Sequence, residues 1–162
     1  MEKTDLFSTE RAGFAERLAR LTGGTTWREV GQGGHNGDPM PDAHSLAASL
    51  AFARRGAHDI GPDILSAIVC QAEHLRPRIV AELTAALHVE CGRVARRNAN
   101  TLPAIASHAY LSVVHGHNLK PPARGIRAHD YLLLTRMGEA TLWSAAEQSL
   151  RLAERAYYSR AA

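Results

Sequence analysis

The sequence contains little cysteine and no long apolar run. Its 162 residues include two cysteines, Cys70 and Cys91, which are too few for the disulfide framework of a small secreted fold. No apolar segment approaches the roughly 20 residues that cross a bilayer. The first residues, MEKTDLFSTERAGF, also lack the apolar stretch of a secretion signal. We therefore expect a cytoplasmic protein that has no membrane partner.

Aromatic residues are sparse as well, at 6% of the chain. No window keeps the alternation of apolar and polar residues that marks a half-buried strand over more than a few positions. Alanine and leucine are frequent instead, so the sequence predicts an all-α fold. We expect one compact domain over residues 1–162 with about six or seven helices. The irregular stretch HGHNLKPPARG, residues 115–125, predicts a hinge before a C-terminal helical pair at 126–158.

Capping residues, prolines and glycines set the predicted helix boundaries. Pro62 and Pro103 suit the first turn of a helix, and Gly56 and Gly138 suit the position after a last turn. A short helical segment at 26–30 and a glycine-rich loop at 31–41 follow the first helix. The predicted helices run from Ser8 or Thr9 to Gly23, and then over 42–55, 61–75, 77–97, 103–114, 126–137 and 140–158.

The net charge of +3 is unevenly distributed along the chain. Residues 1–90 carry nine basic and twelve acidic side chains, a net charge of −3. Residues 91–130 carry six basic side chains and one acidic residue, Asp130, together with four histidines. Clustered arginine and lysine raise the local potential that polyanions feel. The middle segment therefore predicts an anionic partner.

Arginines at the end of the helix 77–97 have two interpretations. Arg93, Arg96 and Arg97 lie in its last predicted turn, where the helix dipole favours cations by about 0.3 to 1 kcal/mol. The dipole does not explain the next basic residues, Lys120, Arg124 and Arg127, which are better explained as phosphate contacts. We expect these cations to converge on one surface that binds nucleic acid.

The last two predicted helices suggest an element that reads bases. With a turn at Met137-Gly138, the helices 126–137 and 140–158 form a helix-turn-helix candidate. Gln148, Arg151 and Arg155 lie at outer positions of the second helix and suit a groove of DNA. Three glutamates on the same pair of helices would repel phosphate, so an ordinary solvent-facing amphipathic helix remains an alternative.

Two sets of side chains raise the alternative of metal binding or catalysis. Cys70 with His74, and His88 with Cys91, have the spacing of a two-helix zinc site, but a turn at Arg76-Pro77 would leave the pairs about 12 Å out of register. Loop histidines His115 and His117 could act in acid and base chemistry, yet no carboxylate lies within ten residues. We expect no metal, no cofactor and no catalysis.

Three stretches support a resemblance to a known family. TTWREV (25–30) leads into the glycine-rich loop, PDAHSLAASLAFARR (41–55) follows, and DYLLLTRMGEATLWSAAEQSLRLAERAYY (130–158) closes the chain. Together they resemble the phage Q-type, AlpA-like late-gene antitermination regulators over about half of the chain. The resemblance implies a small helical protein that binds promoter-proximal DNA and loads onto paused RNA polymerase. It also implies a core position for Trp27 and DNA contacts for Arg151 and Arg155.

The sequence thus predicts a DNA-binding transcription regulator of prophage type whose partners are double-stranded DNA and bacterial RNA polymerase. One alternative is a non-catalytic protein-binding module, such as a phage inhibitor or assembly factor, which needs no basic surface. A metal hydrolase is the other alternative, and it would require stoichiometric zinc.

Overall fold

The computed structural model describes residues 43–117 and 125–161 of the chain. These residues form helices and no strands, which confirms the all-helical class. The predicted helix and loop before residue 42, Trp27, and the middle of the predicted hinge lie outside the described residues. Six α-helices are described: α1 (Ala43–Ala53), α2 (Gly61–Cys70), α3 (Arg76–Glu90), α4 (Gly92–Arg97), α5 (Leu102–His115) and α6 (Ala128–Ala161). A short 3₁₀ helix, Glu73–Leu75, precedes α3.

The long helix α6 packs against α1, α2 and α5. Its first half faces α5 and α3, since the Tyr131 hydroxyl lies 3.1 Å from the His108 ring and Gly138 lies against Leu83. Its second half faces α2, where Ser149 meets Gly61. At about 100° per residue, the buried face of α6 rotates by roughly a quarter turn between the two halves. One helix therefore organises two groups of neighbours.

The helix-turn-helix prediction is wrong at its turn, because α6 runs without a break through Met137 and Gly138. The glycine is buried, and a Cβ atom at position 138 would lie 2.9 Å from the Cβ of Ala109. Its small size allows α5 and α6 to pack closely, and the burial of apolar neighbours outweighs the roughly 1 kcal/mol that glycine costs in a helix. The predicted helices 126–137 and 140–158 are one helix.

The predicted helix 77–97 is divided where α3 gives way to α4. α3 ends at Glu90, and Gly92 has a φ of +44°, a backbone conformation that favours glycine. The chain therefore turns at Cys91 and Gly92 before α4 begins. The predicted helix 61–75 is also shorter, because Gln71 adopts a left-handed conformation after Cys70.

A buried carboxylate holds the connection between α1 and α2. Asp63 is 5% exposed and accepts a 2.6 Å hydrogen bond from Arg54, and Arg78 of α3 lies 3.2 Å from its other oxygen. The same arginines donate to main-chain carbonyls of this connection, Arg54 to that of Asp59 and Arg78 to that of Ala57. This network joins α1, α2 and α3.

Candidate functional site

The end of α4 meets the start of α6 through one aspartate. Arg97 donates to both carboxylate oxygens of Asp130, at 2.8 and 2.7 Å from Nη2 and at 3.0 Å from Nε. Asn98 donates a further hydrogen bond of 3.0 Å to Oδ2. Planar guanidinium and carboxylate groups match in this geometry, which fixes their relative orientation. The structure therefore holds α4 against the first turn of α6.

The environment of Asp130 favours its charged form. Asp130 is 6% exposed, and burial alone would raise its pKa. The hydrogen bond from Asn98, followed by those from Arg97 and the positive charges of Arg97 and Arg127, lowers the pKa instead. Asp130 therefore remains an anion and offsets part of the surrounding positive charge.

Three further arginines belong to the same corner of the fold. Arg93 and Arg96 lie on α4 and are exposed, and exposed Arg127 directly precedes α6. Among the residues that the structure describes, none of the three forms an ion pair within 4.0 Å. Arg97 keeps half of its side chain exposed, at 52%, while it binds Asp130. We call Arg93, Arg96, Arg97 and Arg127 the junction arginines.

Another predicted group lies in the second half of α6. Gln148, Arg151 and Arg155 are exposed there, and we call these three residues the distal group. Arg151 pairs with Glu147 one turn earlier. The side-chain oxygen Oε1 of Gln148 accepts a 3.3 Å hydrogen bond from Arg55. An open groove of about 600 Å³ is lined by Arg151, Glu154, Arg155, Tyr158 and Ser159.

The structure separates the predicted site residues into two groups. With a rise of about 1.5 Å per residue, Arg151 lies roughly 32 Å and Arg155 roughly 38 Å from Asp130 along α6. Arg151 and Arg155 therefore lie well apart from the arginines near Asp130 along this helix. Lys120 and Arg124 lie outside the described part of the chain.

A cluster that the sequence did not predict surrounds the end of α5. His115 Nε2 lies 2.6 Å from Glu73 Oε1, and the Arg76 guanidinium lies 5.6 Å from the centre of the Tyr110 ring. The Tyr110 hydroxyl is buried and lies near the Glu73 carboxylate. Burial and then the charge of Glu73 raise the pKa of Tyr110 to about 12.

This cluster changes how His115 is understood. The sequence offers no carboxylate near His115 in the chain, but the fold supplies Glu73 from the 3₁₀ helix before α3. The Arg76 cation over the Tyr110 ring ties α3 to α5, and the contact of His115 with Glu73 ties the 3₁₀ helix to α5. Both contacts have a packing role. Only a contact between residues 42 positions apart reveals it, and no local sequence signal does so.

The zinc alternative finds no support in the described residues. His74 precedes α3 and His88 lies near its end, so the rise of the helix places them roughly 20 Å apart. Burial and then the charge of Glu90 raise the pKa of the Cys91 thiol, which disfavours the thiolate that binds metal. No group of three histidine, cysteine, aspartate or glutamate side chains with metal-binding geometry occurs in residues 43–117 and 125–161.

Comparison of the chain with protein-family models, curated proteins and solved structures gives no match. None of the described helices combines the length and the apolar character that crossing a bilayer demands.

Proposed function

We propose that this protein is a DNA-binding transcription regulator that contacts the phosphates of double-stranded DNA through the junction arginines. The observation that carries the proposal is the ratio of charges at this corner. Four arginines accompany one buried aspartate, Asp130, and three of them lack an ion-pair partner among the described residues. Cations in this arrangement attract phosphate.

The fold supports contacts to the phosphate backbone more than direct reading of bases. α4 has only six residues. Each arginine guanidinium at its end can bind two oxygens of a phosphate group. Such contacts set position and affinity but carry little sequence information. We therefore expect weak discrimination between DNA sequences by this surface.

The resemblance to antitermination regulators extends the proposal to a second partner. A regulator of that class would bind DNA near a promoter and then contact bacterial RNA polymerase. The resembling stretch 130–158 lies on α6, and the continuity of α6 removes the helix-turn-helix basis for Arg151 and Arg155 as base-reading residues. Their proposed role is a phosphate contact.

The proposal is tested by titrating a fluorescently labelled random 20-base-pair duplex with the purified protein. The four contacts of the junction arginines alone predict that affinity falls at least about a hundredfold between 50 and 200 mM salt. An absence of binding at 50 mM salt would overturn the proposal. Binding that does not change with salt would also contradict it, because phosphate contacts release counterions.

A protein-binding module is the second candidate, and one observation favours it. Leu132 and Leu133 are exposed on the first half of α6, at 51% and 37%, and Val89 at the end of α3 is 83% exposed. Exposed apolar side chains that share a surface are typical of sites that bind other proteins. Replacement of both leucines by serine separates the candidates, since DNA binding should persist while binding of a protein partner should not.

A further inference from the structure

The two arginine groups are joined by one rigid element. Asp130, which holds Arg97, and the distal group all lie on α6, a helix without a break. The helical rise gives a separation of roughly 32 Å to Arg151 and 38 Å to Arg155. α6 therefore fixes the distance between the groups.

Asp130, the contact point of Arg97 on α6, lies on the same side of this helix as the distal group. At about 100° per residue, Gln148 returns to the angular position of Asp130 after about five turns. By the same geometry Arg155 lies about 20° and Arg151 about 60° from that line. A straight ligand that runs parallel to the helix could contact both groups at once.

The separation corresponds to the helical repeat of DNA. One turn of B-form DNA spans about 34 to 36 Å, which falls between the distances from Asp130 to Arg151 and to Arg155. We propose that a DNA duplex lies along this side of α6, so that the junction arginines and the distal group contact phosphates one helical turn apart. This inference rests on the proposed function and adds a binding mode with a minimum duplex length.

The Glu90 carboxylate lies beside α6 between the two groups. The Thr141 hydroxyl, about 20° from the line through Asp130, donates a 3.3 Å hydrogen bond to Glu90 at the end of α3. A duplex along α6 would pass near Glu90 and be repelled by it. The substitution Glu90→Gln should therefore tighten binding of a 20-base-pair duplex about threefold, because it removes a like charge.

The length dependence of binding tests the inference with a matched pair of variants. Arg155→Gln removes a cation from the proposed contact line, and Arg136→Gln removes an exposed cation about 120° away from it on the same helix. Each protein is titrated over a range of salt with an 8-base-pair hairpin duplex, which reaches one group, and with a 20-base-pair duplex, which spans both. Circular dichroism verifies that both variants are folded.

We expect Arg155→Gln to weaken binding of the 20-base-pair duplex about tenfold and to reduce its salt slope by about 0.9, with less than a twofold effect on the hairpin. Arg136→Gln should have little effect on either ligand. An equal effect of the two variants, or an Arg155→Gln effect that does not depend on duplex length, would overturn the inference while leaving the proposed function in place. No binding of either ligand by the unmodified protein would overturn both.

Discussion

Asp63 and Asp130 are both buried carboxylates held by arginine, yet their surroundings leave different charges at the surface. Both arginines at Asp63, Arg54 and Arg78, also donate to main-chain carbonyls of the α1–α2 connection. At Asp130, Arg97 donates its hydrogen bonds to the carboxylate, and Arg127 adds charge nearby. The two aspartates are equally buried, so burial does not distinguish them.

The difference lies in how completely each arginine is used. At Asp63 the guanidinium N–H groups donate to the carboxylate and to main-chain carbonyls, so these two arginines have a structural role. At Asp130 the carboxylate positions one arginine, while neighbouring arginines remain exposed without a described ion-pair partner. The candidate binding surface is identified by arginines that outnumber the carboxylates pairing with them. The presence of arginine alone does not identify it.

The largest effect is expected for the loss of the Asp63 carboxylate. Asp63→Ala leaves Arg54 and Arg78 beside a buried position with no counter-charge, so the free energy of unfolding should fall by about 3 kcal/mol. Urea denaturation measures this change. DNA affinity of the folded variant should stay within about twofold of the original, since Asp63 lies in the structural network. A loss of stability below about 1 kcal/mol would show that the comparison is wrong at this site.

Loss of the negative charge at Asp130 should instead change DNA affinity, and it should increase it. Asp130→Asn removes the anion that neutralises Arg97, so affinity for a 20-base-pair duplex should rise about threefold to tenfold and the salt slope should steepen by about 0.9. Asp63→Asn provides the matched control and should change neither quantity. Weaker binding by Asp130→Asn would contradict an electrostatic role for this corner and would indicate that Asp130 is needed mainly to position Arg97.

Local sequence patterns predicted the helical class and several helix starts because prolines and glycines act on adjacent residues. They failed at Gly138, where the packing of Ala109 overrides the tendency of glycine to end a helix. They also missed the pairing of Arg97 with Asp130, 33 positions away. The spacing of the two arginine groups depends on whether α6 is continuous, which only tertiary packing decides.

Acid should weaken the contact between α4 and α6, because this contact depends on the charged form of Asp130. Since the folded protein lowers the pKa of this carboxyl, its contribution is present above the ordinary carboxyl value near 3.9 and is lost as the pH falls through the lower folded value. The difference in Tm between the unmodified protein and Asp130→Asn should therefore shrink below about pH 4. Thermal melts followed by circular dichroism from pH 5 to 2.5 measure it, and a constant difference would refute the assignment.

The smallest effect is expected for a surface contact between a histidine and a glutamate near the Asp63 network. His58 Nδ1 lies 3.0 Å from Glu82 Oε1, and His58 is 87% exposed at its side chain. His58→Ala should lower the free energy of unfolding by no more than about 0.5 kcal/mol, because water screens exposed pairs. Urea denaturation of His58→Ala and Asp63→Ala under the same conditions compares the two variants. Equal losses of the free energy of unfolding would contradict the distinction between buried and exposed pairs.

The dependence of DNA affinity on salt tests the central claim most directly when it is measured for the double variant Arg93→Gln/Arg96→Gln. If the junction arginines contact phosphate, the slope of log affinity against log salt should become shallower by about 1.8 than that of the unmodified protein. An unchanged slope in the folded variant would contradict the claim that this corner of the molecule binds DNA.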